Sequence, residues 1–275
     1  MIPNVLTIAG SDSGGGAGVQ ADLKNFSALG AYGASVITAL TAQNTRTVSA
    51  IHDVPPEFVS AQMDAVFDDI DFAAVKIGML SSPAIIDAVA DGLRRHRARN
   101  VVLDPVMVAK SGDRLLRAEA ISTLRQRLLP LATVITPNLP EAAVLLGLEE
   151  AMDEAGMIDA AARLRALGPQ AVLLKGGHLA KGASSVDVLD DGAEPLTLAA
   201  PRITTANTHG TGCTLSSAIA AVLARGLPLR DAVREAKAYV TAAIRAADRL
   251  NVGHGHGPVH HFHTLWREEA DELHA

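Results

Sequence analysis

The sequence has very few aromatic residues and only one cysteine. Aromatic residues make up 3% of its 275 residues and hydrophobic residues 48%, so a core must be built from Ala, Val, Leu and Ile. That composition favours parallel strands covered by helices over a β-sandwich. Cys213 alone cannot form an internal disulfide, which is typical of a protein of the reducing cytoplasm.

The sequence also lacks an excess of positive charge, a long apolar run and a basic segment ahead of its first apolar run. The formal net charge is −6, so no basic face for nucleic acid is expected. No apolar stretch reaches the roughly 18 residues of a membrane span. We therefore expect a cytoplasmic protein with no nucleic-acid or membrane partner. A phosphorylated ligand would be held by main-chain N–H groups, a few cations and a metal.

Short apolar runs alternate with helical patterns along most of the chain. This alternation predicts an α/β fold with a mostly parallel central sheet and helices on both faces. The predicted strands cover residues 5–9, 34–39, 73–77, 101–104, 134–137 and 171–175, followed by an antiparallel edge hairpin at 184–189 and 196–199. The predicted helices cover residues 19–29, 56–67, 83–96, 119–128, 140–146, 157–167, 212–225 and 230–250. No long linker or repeat divides the chain, so we expect a single domain over residues 1–275.

A glycine-rich run, residues 10–18, follows the first predicted strand. Such a run lets backbone N–H groups approach a ligand closely. It is not a Walker A loop, because Gly15 is followed by Gly16 and not by lysine. No acidic residue stands about 20 positions further on, which argues against a dinucleotide site. The alternative is a flexible strand-to-helix loop.

Gln43 lies in the sequence TAQNT, just after the second predicted strand. Its amide offers one donor and one acceptor side by side. That pair matches a ring nitrogen next to an exocyclic amine, as in an aminopyrimidine or in adenine. The alternative is an ordinary surface glutamine.

Polar residues end two further predicted strands. Asp104 precedes Pro105, and Asn138 and Glu141 follow Pro137. In open parallel sheets, ligands bind beyond the carboxyl ends of the strands. Carboxylate and amide oxygens there suit Mg²⁺ or its bound waters. The alternative is helix capping by Asn138 with Glu141 in the first turn, and both roles are compatible.

Lys175 ends the buried run at residues 171–174 and is followed by Gly176, Gly177 and His178. A lysine there can reach a transferring phosphate as a point charge. The alternative is a lysine whose ammonium extends into solvent.

The most informative run covers residues 208–218, where glycines precede a long predicted helix. The N–H groups of Gly210, Thr211 and Gly212 can stabilise charge on a moving phosphoryl group. Cys213 follows at the helix N-terminus, where a thiol pKa tends to fall. We therefore predict that Cys213 accepts the proton of an attacking hydroxyl. The alternative is a small cysteine that only packs.

Five histidines occur near the C-terminus: His254, His256, His260, His261 and His263. They could bind Zn²⁺, but their spacing is irregular and matches no helix face. The glycines and the proline among them favour a structured loop.

Eight runs in order, together spanning residues 5 to 262, resemble hydroxymethylpyrimidine/phosphomethylpyrimidine kinases of the ribokinase-like superfamily. They are AGSDSGGGAGVQADLK, TAQNT, KIGML, LDPVMVAKSGD, TPNLPEA, LLKGGHL, HGTGCTLSSAI and GHGPVHHF. The resemblance implies a ribokinase-like fold that transfers the γ-phosphate of ATP, with Mg²⁺, to the hydroxymethyl group of 4-amino-5-hydroxymethyl-2-methylpyrimidine. A second transfer then gives the diphosphate used in thiamine biosynthesis. The resemblance also suggests a homodimer.

The resemblance assigns roles to the residues above. Around the pyrimidine it implies a contact set: Gln43, Gly10, Ala17, Met79 and Val106. For the phosphates it implies an anion hole and a lysine: Gly210, Thr211, Gly212 and Lys175. Cys213 would be the base, and Asp104, Asn138 and Glu141 would organise Mg²⁺, with Asp104 and Glu141 nearest the metal.

Two features distinguish this chain from other members of the superfamily or from the family pattern. Many ribokinase relatives carry aspartate where this chain has Cys213, and the cysteine is typical of the pyrimidine kinases and of pyridoxal kinases. His254 and His263 add to the histidines of the family pattern. Three alternatives remain: a pyridoxal/pyridoxine kinase on the same fold, a non-catalytic pyrimidine- or nucleotide-binding regulator, and a protein that binds metal through its histidine tail. Whether residues 181–185 close over the site also remains open.

Overall fold

One sheet of nine strands runs through the described residues of this computed structural model, which are 1–107, 119–148, 156–177 and 184–266. Its strands are β1 (Asn4–Asp12), β2 (Tyr32–Gln43), β3 (Val48–Asp53), β4 (Ala74–Ile77), β5 (Val101–Leu103), β6 (Val134–Ile135), β7 (Ala171–Lys175), β8 (Ser184–Asp190) and β9 (Leu196–Pro201). The spatial order is β3-β2-β1-β4-β5-β6-β7-β8-β9.

The helices connect these strands. They are α1 (Gly18–Ala28), α2 (Pro56–Phe67), α3 (Pro83–Arg95), α4 (Ala120–Thr123), α5 (Leu139–Leu146), α6 (Met157–Arg165), α7 (Thr211–Ala224) and α8 (Leu229–Arg245). A π-helical turn (Leu124–Leu128) and a 3-10 turn (Leu129–Leu131) continue α4, and a 3-10 turn (Ala247–Arg249) follows α8. Within the described ranges, no helix is both long and apolar enough to cross a membrane.

The predicted α/β sheet is confirmed. Strands β2, β1, β4, β5, β6 and β7 are parallel neighbours, and the predicted hairpin forms the antiparallel edge β8–β9 beside β7. The opposite edge, β3, pairs antiparallel with β2 and was not predicted from the sequence. All its residues retain exposed surface, so it lacks the alternation of buried and exposed positions that marks a strand.

Two strands extend beyond their predicted ends. β1 continues to Asp12, with an irregularity between Ala9 and Ser11, and β2 continues to Gln43. The start of the glycine-rich run is therefore strand and not loop. Gln43 is the last residue of β2, so it lies at the carboxyl end of the strand, where ligands bind in sheets of this type.

Each face of the sheet buries its own core. On β7, Val172 and Leu174 belong to the core under α2–α6, whereas Ala171 and Leu173 belong to the core under α1, α7 and α8. This alternation follows from the period of two along a strand. Ten consecutive residues of α7, Thr214–Leu223, are buried, so this helix lies against the sheet with its N-terminus at the strand ends.

A fully buried ion pair links α1 to the sheet. The ammonium of Lys76 on β4 lies 2.8 Å from Asp22 Oδ2, and both side chains are 0% exposed. Thr7 donates a second hydrogen bond to the same oxygen at 2.7 Å. Burial alone would lower the pKa of Lys76, but the carboxylate of Asp22 outweighs burial, and the pKa is raised.

We predict that Lys76→Met destabilises the protein by about 3–5 kcal/mol, because the variant leaves Asp22 buried and unpaired. The double variant Lys76→Met/Asp22→Asn removes both charges and should recover most of that loss. Urea unfolding measures both free energies. A cost below about 1 kcal/mol for the single variant would contradict this account of a buried pair.

Candidate active site

One cavity of about 880 Å³ lies at the carboxyl ends of the parallel strands. The thirteen residues that the sequence nominated all line it: Gly10, Ala17, Gln43, Met79, Asp104, Val106, Asn138, Glu141, Lys175, Gly210, Thr211, Gly212 and Cys213. The structure therefore brings the whole predicted set together. Their individual roles follow from the contacts below.

The glycine-rich loop is organised by Asp12, which sequence reasoning missed. Its carboxylate accepts hydrogen bonds from the backbone N–H groups of Gly14, Gly16 and Ala17 at 2.8, 3.0 and 2.8 Å. The loop is thus not merely flexible. These three N–H groups point to the protein itself, so the expectation that they approach a ligand is wrong for them.

A half-buried histidine joins the loop to the end of β2. His209 Nε2 lies 2.9 Å from Asp12 Oδ2 and 3.3 Å from Gln43 Nε2. Although burial would raise the pKa of Asp12, His209 and the loop N–H groups hold it below its usual value. In the sequence, only the position of His209 directly before Gly210 indicated that it would lie at the site.

The apolar side of the cavity lies beside Gln43. Met79 is buried, and its methyl group lies where a side chain on Gly10 would project. Thr38 donates a hydrogen bond to the Met79 carbonyl at 2.9 Å and fixes that turn. Ala17 and Val106 also line the cavity, so its wall includes apolar surface as well as the Gln43 amide.

The N-terminus of α7 opens into the cavity. Gly210 precedes the helix with φ 76°, and no side chain caps it. A β-carbon on Gly210 would collide with the carbonyl oxygen of Gly16, so glycine is required both for backbone conformation and for space. The N–H groups of the first turn have no partner within a helix, which suits this end to an anion.

Lys175 does not extend into solvent. Its ammonium lies 2.9 Å from Asp104 Oδ1, which also accepts a hydrogen bond from Thr136 at 3.0 Å. A β-carbon on Gly212 would lie 3.4 Å from both Asp104 Oδ2 and Lys175 Nζ. The N-terminus of α7 therefore lies next to the ion pair.

Asp104 and Lys175 are both charged. Burial would raise the pKa of Asp104, but Lys175 and then Lys76 lower it below its usual value. Burial would lower the pKa of Lys175, but Asp104 and Glu141 raise it. The cavity floor therefore holds a fixed cation close to the N-terminus of α7.

Asn138 and Glu141 form the capping box that was the alternative interpretation. Asn138 Oδ1 accepts from the Glu141 N–H, and Glu141 Oε2 accepts from the Asn138 N–H, both at 2.8 Å. Burial raises the pKa of Glu141 to about 7, the charge of Lys175 opposes this rise, and Asp104 adds to it.

The residues fit a magnesium ion held mainly through water. Within the described ranges, no cluster of three or more His, Cys, Asp or Glu side chains could enclose a metal. Asp104 and Glu141 still repel one another across the cavity. Mg²⁺ commonly binds one or two carboxylates together with waters and substrate phosphates, which this arrangement allows.

The prediction that the pKa of Cys213 falls is wrong. Burial raises the pKa of its thiol to about 11. Lys76 opposes this rise, whereas the carboxylates of Asp22 and Asp104 add to it. Burial therefore outweighs the helix N-terminus, and the thiol is protonated at neutral pH.

The C-terminal histidines lie in the predicted structured loop. The N–H of His256 donates to the Thr45 carbonyl at 2.8 Å, and the N–H of His209 donates to the Gly257 carbonyl at 3.0 Å. His261 is buried, and burial lowers its pKa to about 3. This segment packs against the site and fastens two of its loops together.

Sequence reasoning missed a second region of the cavity. Lys237 on α8 lies 2.6 Å from Asp187 on β8, and both line the cavity together with residues 200–203, 205 and 206. Three predicted features lie outside the described residues: His178, residues 108–113 of the LDPVMVAKSGD run, and residues 181–183 of the segment considered as a lid.

The comparisons with known proteins agree on one family. A family model described as phosphomethylpyrimidine kinase matches residues 12–260. The hydroxymethylpyrimidine/phosphomethylpyrimidine kinase of Rhizobium meliloti (strain 1021) is 63% identical over 263 residues, which are 96% of this chain and 98% of that protein.

Two further proteins place this likeness in context. The thiamine biosynthesis bifunctional protein ThiED of Geobacter sulfurreducens is 59% identical over 258 residues, which are 94% of this chain and 52% of that protein. Among solved structures, the ADP complex of Bacillus subtilis pyridoxal kinase superposes with a TM-score of 0.89 at 39% identity, covering 97% of this chain and all of that one (100%).

We predict that Cys213 reacts slowly with iodoacetamide at neutral pH, because its thiol pKa is raised to about 11. The alkylation rate should rise about tenfold per pH unit up to about pH 10 without a plateau. Mass spectrometry of the intact protein follows the reaction cleanly, since the chain has one cysteine. A plateau below about pH 8 would mean that the thiol is activated.

Proposed function

The chain belongs to the phosphomethylpyrimidine kinase family, and we propose that its cavity phosphorylates 4-amino-5-hydroxymethyl-2-methylpyrimidine and then its monophosphate, with ATP as donor, in thiamine biosynthesis. The observation that carries the proposal is one cavity with an amide and apolar surface at one end, and a fixed cation beside a helix N-terminus at the other. Such a cavity holds an aminopyrimidine and a triphosphate in line.

The pyrimidine binds at the end of β2. Gln43 pairs through its donor and acceptor with the ring nitrogen and the exocyclic amine. Met79, with Gly10, Ala17 and Val106 beside it, encloses the ring and excludes water. The hydroxymethyl group then points towards Cys213 and the N-terminus of α7.

The triphosphate lies along the floor of the cavity. Lys175, held by Asp104 at 2.9 Å, contacts the phosphates as a point charge. The N–H groups of Gly210, Thr211 and Gly212 stabilise charge that develops on the transferring phosphoryl oxygens. These donors are preorganised because Gly210 fixes the start of α7.

Mg²⁺ neutralises phosphate charge when it is bound. Asp104 and Glu141 are the residues that would hold it, and the capping box with Asn138 fixes the Glu141 side chain. Glu141, with its pKa raised to about 7, is half-protonated near neutral pH. It becomes fully ionised beside a divalent cation.

Cys213 receives the proton of the attacking hydroxyl. Only a thiolate can accept a proton, and the thiol is protonated at neutral pH, so the reactive form is a minor population. In a loose transition state the hydroxyl loses its proton late. Positioning and charge stabilisation therefore carry most of the rate, and water takes the proton from Cys213 after transfer.

We propose further that the enzyme is a one-domain homodimer of the cytoplasm, where ATP is available. The edge formed by β2 and β3 carries exposed apolar side chains, Leu40 and Ile51, which support a second copy at this edge. Analytical ultracentrifugation tests this assembly, and a particle with the mass of one chain would contradict it.

A pyridoxal kinase is the second candidate, because the Bacillus subtilis pyridoxal kinase has nearly the same fold. Pyridoxal lacks the exocyclic amine that Gln43 pairs with. A site built to pair a polar group discriminates strongly against an analogue without it.

The direct test offers ATP and Mg²⁺ with hydroxymethylpyrimidine, its monophosphate and pyridoxal in parallel. We expect diphosphate from both pyrimidines, slower turnover of pyridoxal, and no product when EDTA removes the metal. Turnover of pyridoxal alone would refute the pyrimidine assignment but keep the kinase chemistry.

We predict that Cys213→Ala lowers kcat by about a hundredfold or more and changes pyrimidine affinity by less than about twofold. The wild-type kcat should rise with pH between about pH 7 and about pH 9, because the thiolate fraction rises. Cys213→Ser, which retains a hydrogen-bonding group, should resemble the alanine variant and lose this pH dependence. Turnover unchanged in either variant would remove the base assignment.

A further inference from the structure

His209 occupies a central position that the phosphoryl-transfer steps do not use. Its side chain is 12% exposed, and its Nε2 atom contacts both Asp12 and Gln43, at 2.9 and 3.3 Å. It therefore lies between the organiser of the glycine-rich loop and the amide at the pyrimidine end of the cavity.

The hydrogen bonds that Asp12 already accepts determine whether His209 Nε2 is a donor or an acceptor. Asp12 already accepts three backbone N–H groups, so its carboxylate is an acceptor, and His209 Nε2 must carry a hydrogen to bind it. An Nε2–H group cannot accept a hydrogen bond from the Gln43 amino group. Two donors therefore face each other at 3.3 Å.

The contacts of Thr41, on the other side of the Gln43 amide, show a second conflict. The Thr41 hydroxyl lies 2.8 Å from the Ser11 carbonyl and 3.2 Å from Gln43 Oε1. Its single hydrogen goes to Ser11, the shorter contact, so towards Gln43 it can only accept. A half-turn of the Gln43 amide removes both conflicts. Its nitrogen then donates to Thr41, and its oxygen accepts the longer branch, at 3.3 Å, of a three-centre hydrogen bond from His209 Nε2–H, whose shorter branch, at 2.9 Å, goes to Asp12.

We propose that His209 is a positioning residue that locks the Gln43 amide in this orientation and thereby sets specificity for an aminopyrimidine edge. The proposal rests on the proposed function, since it concerns how that substrate is recognised. One N–H and one lone pair of Gln43 remain for the ligand. The exocyclic amine then lies on the His209 side, and the ring nitrogen lies on the Thr41 side.

The surroundings of His209 keep the ring in place. The backbone N–H of His209 donates to the Gly257 carbonyl at 3.0 Å, and the backbone carbonyl of His209 accepts from the Val259 N–H at 3.3 Å. A β-carbon on Gly16 would lie 3.2 Å from both His209 Nε2 and the Pro258 side chain. The ring is thus packed between the glycine-rich loop and the C-terminal loop, residues 253–259.

The C-terminal loop acquires a role from this arrangement. Gly255 donates its N–H to Thr45 Oγ1 at 3.1 Å, and His256 donates its N–H to the Thr45 carbonyl at 2.8 Å. Thr45 lies two residues after Gln43. The loop therefore fastens the end of β2 to the segment that carries His209.

The test compares two ligands that differ by one group. Hydroxymethylpyrimidine and its analogue without the 4-amino group are titrated by calorimetry into wild-type protein, His209→Leu and His209→Gln. The glutamine variant places an amide nitrogen near the position of Nε2 and can donate to both Asp12 and Gln43. Circular dichroism and thermal unfolding confirm that each variant is folded.

We expect the wild type to prefer the aminated ligand by about tenfold or more. His209→Leu should lose much of this preference, by weakening the aminated ligand alone, because the Gln43 amide then keeps only its Thr41 contact and no donor faces its oxygen. His209→Gln should keep it. At saturating substrate, kcat for the aminated ligand should change less than about threefold in both variants.

Two results would overturn the proposal. His209→Leu could retain the preference, or it could weaken both ligands equally, which would indicate a purely structural role. Failure of the proposed function is distinct, because it would appear in the wild type as no turnover of hydroxymethylpyrimidine. In that case the positioning role would fall with it.

Discussion

The arrangement of the site depends on the buried ion pair between Asp104 and Lys175. The pair joins the ends of β5 and β7 at 2.9 Å, and Gly212 at the N-terminus of α7 lies next to it. Two buried charges cost free energy unless each is paired, so neither residue can be changed alone without cost. The same pairing leaves a cation at the cavity floor for phosphate. Burial is the main cause of the raised pKa of the neighbouring Glu141 and Cys213 groups, and the charge of Asp104 adds to it.

Much of the site could be predicted from the sequence because its residues follow strand ends or begin helices. Gln43, Lys175 and Gly210 stand at such boundaries, where glycine, proline and polar residues interrupt apolar runs. Parallel strands bring those boundaries to one edge of the sheet. The alternation of apolar runs and helical patterns likewise predicted the fold. Strand β3 was not predicted, because its residues are not alternately buried and exposed.

The rest depends on contacts between distant residues. Asp12 and His209 are 197 positions apart in the sequence, and no local sequence pattern at either residue predicts that they are in contact. Lys76 lies inside a buried strand, where a helix elsewhere supplies its partner. The pKa of Cys213 depends on burial and on charges from three other elements, so a rule about helix termini alone could not predict it.

The central claim is that pyrimidine and phosphate meet between Gln43 and the N-terminus of α7. A crystal structure with hydroxymethylpyrimidine, ADP, Mg²⁺ and aluminium fluoride tests it most directly. The account predicts the pyrimidine edge on the Gln43 amide, the aluminium fluoride on the N–H groups of Gly210–Gly212 beside Lys175, and the hydroxymethyl oxygen between Cys213 and the aluminium. A pyrimidine bound away from Gln43, or a hydroxymethyl group pointing away from α7, would contradict it.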